Sequence, residues 1–120
     1  MILIDTSVWI DHLHRSEPAL IELLRDTVVL THPMVIGELA LGSLHDRTQV
    51  LKALAGMPAA EVSTHDEVIV FVEAQGLHGI GLSLVDAHLL ASTLLTPGTL
   101  LWTRDKRLDE VATRLGVGFR

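Results

Sequence analysis

The chain has 120 residues, enough for one domain with a sizeable core, and 48% of them are hydrophobic against 20% charged, which excludes a disordered tail. Its formal net charge is −6, and the only aromatics are Trp9, Trp102, Phe71 and Phe119, so neither a broad phosphate-binding face nor a base-stacking platform is expected. There are no cysteines, which removes disulfides and thiolate metal sites and fits a reducing, cytoplasmic setting.

Ile2-Leu3-Ile4 is a short apolar run and reads as a buried strand; Asp5 interrupts it, and no basic segment precedes it, so it is not a signal peptide. Thr6-Ser7 can cap a helix carrying Val8, Trp9, Ile10 and Leu13. Ser16-Glu17-Pro18 opens a second helix with Leu20, Leu23 and Leu24 on one face. Val28-Val29-Leu30 reads as another buried strand. His32-Pro33 starts a helix that runs through Glu38 to about Leu44, since proline suits the first helical turn. Asp46 caps a further helix, stopped by Gly56 and Pro58, and Val62 is a weak strand candidate.

Thr64-His65-Asp66-Glu67 has capping-box spacing, and that helix ends at Gly76. Ser83 caps a helix from Leu84 to about Leu95; at that length, with Asp86 and His88 inside it, it does not span a membrane. Thr96-Pro97-Gly98 is a turn, Thr99–Trp102 a strand, Lys106–Leu115 a helix ended by Gly116, and Val117-Gly118-Phe119 an edge strand. Strands alternate with helices and are solidly apolar. This predicts an α/β fold, one domain over residues 1–120, with a parallel sheet covered by helices on both faces.

The acids fall at telling places. Asp5 directly follows the first strand and Asp105 closely follows the Thr99–Trp102 strand, and ligands of open α/β sheets bind beyond the carboxyl ends of strands. Glu38 and Asp86 sit among apolar helix residues, where a charge is seldom buried unless paired or bound to metal. Each has a blander reading: a cap for Asp5 and Asp86, a solvated stripe for Glu38, a loop acid paired with Arg104 or Lys106 for Asp105. One shared site accounts for all four. Two carboxylates about 4 Å apart repel by roughly 4 kcal/mol at an effective dielectric near 20. A cluster therefore calls for protons or a cation, and oxygen donors suit Mg²⁺ or Mn²⁺.

Ile4-Asp5-Thr6-Ser7, Glu38, Ser83-Leu84-Val85-Asp86-Ala87 and Thr103-Arg104-Asp105, in that order, resemble the motifs of PIN-domain toxins of the VapC family. The resemblance spans nearly the whole chain. It implies a PIN fold, a catalytic and metal-binding quartet of Asp5, Glu38, Asp86 and Asp105, and Mg²⁺- or Mn²⁺-dependent cleavage of RNA by metal-activated water. Thr6 and Thr103 carry over as supporting hydroxyls. The resemblance also implies a cognate VapB-like antitoxin and a homodimer. One departure is Leu108, where family members often carry Phe. Arg104, Lys106 and Arg107 beside the site are candidates for RNA phosphate contact, and Asp109 for an outer acid. The alternatives are a DNA- or flap-directed nuclease of the same chemistry, a catalytically silent PIN module, and a receiver-like domain. No extra DNA-binding module is visible, the quartet is complete, and only one acid follows the first strand. The seven histidines form no metal-binding motif and are read as surface or partly buried residues.

Overall fold

A computed structural model describes every residue from Met1 to Arg120. In chain order the elements are β1 (Ile2–Ile4), α1 (Thr6–His14), α2 (Pro18–Arg25), β2 (Val29–Leu30), α3 (Pro33–Leu41), α4 (Arg47–Ala55), α5 (His65–Gln75), α6 (Leu84–Leu95), β3 (Leu100–Trp102) and α7 (Lys106–Arg114). The three strands form a parallel sheet in the order β2-β1-β3. The chain thus leaves the central strand to one side and later returns to the other, the kind of switch point at which ligands of open α/β sheets bind beyond the carboxyl ends of the strands.

Successive side chains of a strand point to opposite faces, yet Ile2, Leu3 and Ile4 are all buried. Both faces of the sheet are therefore covered, as the solid apolar runs predict. Leu3 and Ile4 join Val8, Leu20, Val35, Leu39, Leu89, Leu90, Leu101 and Leu108 in the main core. Full burial of each such side chain contributes roughly 1.5–3 kcal/mol. Leu108, the departure from the family pattern, is fully enclosed and fills its place as an apolar residue.

The structure corrects five expectations. Asp46 stands at the N-cap position of α4 in the left-handed region, and its side chain makes no capping bond. Asp5, not Thr6-Ser7, occupies the N-cap position of α1, and its side chain makes no capping bond. The α3 helix ends at Leu41, because Gly42 is extended. Val62 forms no strand and is exposed; Ala59 instead makes an isolated parallel bridge to Thr31, with the Ala60 amide donating to the Thr31 carbonyl at 2.9 Å. At the other edge only Gly118 bridges, to Leu101, so the final segment extends the sheet by one residue pair. The capping boxes at Thr64 and Ser83 are both formed.

Candidate active site

Asp5 is buried at the end of β1, 6% exposed, and its side chain takes one hydroxyl from α1 and one from the loop after β3. Its Oδ2 accepts the hydroxyl of Ser7 at 2.7 Å and that of Thr103 at 2.7 Å. The same two hydroxyls reach the loop after β3. Ser7 Oγ accepts the Arg104 amide at 3.0 Å, and Thr103 Oγ1 accepts the Asp105 amide at 3.0 Å. A pair of hydroxyls therefore fixes the first acid relative to the backbone that carries the last one. Ser7 was not singled out among the candidate residues. The signal was its position in the first turn of α1, where a hydroxyl two residues on can fold back to Asp5.

Asp105 caps α7, its Oδ1 accepting the Leu108 amide at 2.9 Å. Asp86 is the third residue of α6 and completes the capping box. Its Oδ2 accepts the Ser83 amide at 3.0 Å, and Ser83 Oγ accepts the Asp86 amide at 3.0 Å. Burial raises the Asp86 pKa above the ordinary carboxylate value; the Ser83 bonds pull it back, and the charges of Asp5 and Asp105 add to the rise. The capping reading of Asp86 is thus borne out by its bonds to Ser83. Glu38 is exposed on α3 and accepts the Thr6 hydroxyl at 2.5 Å, so it joins the site through the residue that follows Asp5.

The basic candidates separate. Arg104 is clasped between Asp11, at 2.6 Å, and Glu17, and lies over the Trp102 ring. The clasp lowers the Glu17 pKa, chiefly through its hydrogen bond from Arg104. Arg107 donates to the Ile80 carbonyl, and Lys106 stands exposed beside Asp105. Asp109 is held by Arg120 at 2.9 Å. Of the histidines, His32 is fully enclosed: its Nδ1 accepts the Met34 amide at 3.0 Å, and its Nε2 lies 2.9 Å from Ser92 Oγ. With Nδ1 accepting, the proton of the neutral ring sits on Nε2 and is donated to Ser92.

No three His, Asp or Glu side chains are drawn together into a complete ligand group. The donors fit a hard divalent cation nonetheless. They are carboxylate and hydroxyl oxygens, Asp86 stands in the field of two other acids, and Mg²⁺ keeps several of its own waters while taking one or two carboxylates directly. Asp5, Asp86 and Asp105, with Glu38 at the margin, are the residues able to hold it.

The PIN domain family matches residues 2–114. The chain is also similar to Ribonuclease VapC32 of Mycobacterium tuberculosis, in strains CDC 1551 and H37Rv. Each is 51% identical over 117 residues, which cover 98% of this chain and 94% of the relative.

Proposed function

This chain belongs to the PIN-domain family, among the VapC ribonucleases, and from that premise we propose that residues 1–120 form a single-domain, Mg²⁺- or Mn²⁺-dependent endoribonuclease, the cytoplasmic toxin of a toxin–antitoxin pair. The observation that carries the proposal is the pair of hydroxyls, Ser7 and Thr103, that bind Asp5 Oδ2 and accept the Arg104 and Asp105 amides, fixing the acid after β1 to the backbone of the acid after β3. The electrostatics of Asp86 agree, since the charges of Asp5 and Asp105 add to the rise that burial gives its pKa. A shared site for Asp5, Asp86 and Asp105 accounts for this tie, which separate structural roles would not require.

A divalent cation held by Asp5, Asp86 and Asp105 would supply charge neutralisation at the phosphoryl group and activation of a water for hydrolysis. The chain's own residues do the rest. Ser7 and Thr103 hold Asp5 through Oδ2, so this acid is oriented before any ligand arrives. Ser83 does the same for Asp86, and the Leu108 amide for Asp105. Burial raises the Asp86 pKa, with the Asp5 and Asp105 charges adding to the rise, so an opposite charge at this carboxylate would favour its ionised form. Thr6 orients Glu38 at the rim. Lys106 and Arg107 are the nearest uncommitted cations for RNA phosphates; Arg104 is committed to Asp11 and Glu17.

The antitoxin half of the proposal rests on the family resemblance and on one surface. A cavity of about 600 Å³ opens beside Glu38 and is walled by Ile10, Leu13, Leu39, Leu44 and Val50. Ile10 is 54% exposed, so an apolar segment seated there would remove costly surface from water and stand against the rim of the site. A homodimer belongs to the same reading. No helix is long and apolar enough to cross a membrane.

The test is direct. Purified protein free of antitoxin is expected to cut cellular RNA with Mg²⁺ or Mn²⁺ and to stop in EDTA. Undiminished cleavage in chelator would overturn the mechanism.

A further inference from the structure

Two concavities adjoin along α7. One, of about 340 Å³, is rimmed by Asp105, Lys106, Arg107 and Glu110. The next, of about 520 Å³, is lined by Gly79, Ile80, Arg107, Glu110, Val111 and Arg114. They share Arg107 and Glu110, and together they run along α7 from Asp105 to Arg114 as one trench, walled at its far end by Gly79 and Ile80.

The two arginines in this trench are positioned and uncommitted. Arg107 donates to the Ile80 carbonyl and Arg114 to the Gln75 carbonyl at 3.2 Å. Neither forms an ion pair; the arginines that do are Arg104 and Arg120. A guanidinium carries five N–H donors, so one bond to a carbonyl fixes its place and leaves the others available. The seat of Arg107 is shaped for it. Gly81 has φ of +89°, which favours glycine, and the Arg107 guanidinium packs closely against it, 2.5 Å from where a Cβ would stand. Arg107 and Arg114 are seven residues apart, hence on one face of α7 and about 10 Å from each other. That is roughly the rise of three stacked nucleotides in a strand.

We propose that this trench binds the single-stranded RNA backbone flanking the cleavage point, with Arg107 and Arg114 contacting phosphates about three nucleotides apart. The inference rests on the ribonuclease reading above and extends it to the course of the substrate. Charge supports it. The chain carries −6 overall, so most of its surface repels RNA, and a local pair of oriented cations leading into the acidic site supplies a route. Arginine is suited to the task because its planar fork matches phosphate oxygens.

The experiment is fluorescence anisotropy of a short labelled oligouridylate in EDTA, which keeps it intact, between about 50 and 200 mM NaCl. For single strands the slope of log K against log salt changes by about 0.7 per phosphate contact. Arg107→Gln and Arg114→Gln should each flatten the slope by about that amount and weaken low-salt binding roughly 5- to 10-fold. Arg25→Gln, at the end of α2, should change neither. Arg114→Lys should retain the slope, because charge and not the Gln75 bond carries the contact; an anchoring role alone predicts that lysine behaves like glutamine. Thermal melts verify that each variant is folded. Unchanged affinity and slope in both glutamine variants would overturn the proposal and leave the arginines as loop anchors. Cleavage with Mg²⁺ is measured in parallel. A wild-type protein that cuts RNA while the variants bind normally sinks only the trench; one that neither cuts nor binds sinks the ribonuclease reading as well.

Discussion

Replacing Thr103 by valine removes one hydroxyl from the middle of the site and keeps nearly the same shape. In the native protein that hydroxyl donates to Asp5 Oδ2 at 2.7 Å and accepts the Asp105 amide at 3.0 Å. Both Asp5 and Thr103 are buried, at 6% and 7% exposure. Hydrogen bonds to a charged partner contribute about 1.5–3 kcal/mol. Asp5 retains the Ser7 hydroxyl on the same oxygen, so it is weakened but not stripped, and Asp105 is exposed, so water replaces the lost acceptor for its amide. The expected cost is about 2 kcal/mol. Urea unfolding in EDTA measures it without any contribution from bound cation. The midpoint should fall at an unchanged slope, because the surface exposed on unfolding is the same. Thr103→Ser should recover most of the loss. A loss below about 0.5 kcal/mol for Thr103→Val, as for an ordinary surface substitution, would refute the reasoning that this hydroxyl ties the acids of β1 and β3 together.

Two further outcomes follow from the buried polar groups. Burial depresses the His32 pKa from 6.5 to about 4, so between those values the unfolded chain binds the proton that the folded one refuses. Stability should therefore be full above pH 6.5 and fall by about 3 kcal/mol as pH drops toward 4; a His32→Gln variant with the same pH dependence as wild type would contradict this. For Asp86 the pKa is raised, so this group stabilises the metal-free fold at low pH and the contribution is lost as pH rises through its folded value. At neutral pH and in EDTA, Asp86→Asn should be at least as stable as wild type, since asparagine can still accept the Ser83 amide. Added Mg²⁺ should raise the wild-type melting temperature by mass action and the Asp86→Asn temperature by less. A destabilised variant with the full Mg²⁺ shift would mean that Asp86 only caps its helix.

Much of the fold was legible because local chemistry and packing agreed. The run Ile2–Ile4 has no polar face, the Thr99–Trp102 run is apolar after its first residue, and the capping boxes at Thr64 and Ser83 mark helices that begin at the next residue. What stayed hidden depended on the sheet. Ala59 bridges Thr31 because the Pro58 carbonyl and the Ala60 amide happen to lie beside that residue, and nothing in the sequence near Ala59 marks a strand. The four acids were readable from their positions after strands and inside apolar helices. Their supports were not, because those bonds cross nearly the whole chain: Ser7 and Thr103 are 96 residues apart, and Arg104 pairs back with Asp11 and Glu17. The position of Arg104 next to Asp105 suggested an RNA contact, whereas two carboxylates on α1 and the following turn claim its charge.

The central claim is that Asp5, Asp86 and Asp105 act as one site. Its most direct measurement is the rate of Mg²⁺-dependent RNA cleavage by Asp5→Asn, Asp86→Asn and Asp105→Asn, singly and in pairs, at equal folded protein. Residues that act as a unit are strongly non-additive. Each single change is expected to abolish most of the activity, and each double variant should be no worse than its more damaged parent. Losses that multiply in the pairs, or a single variant that retains wild-type rate, would contradict a shared site.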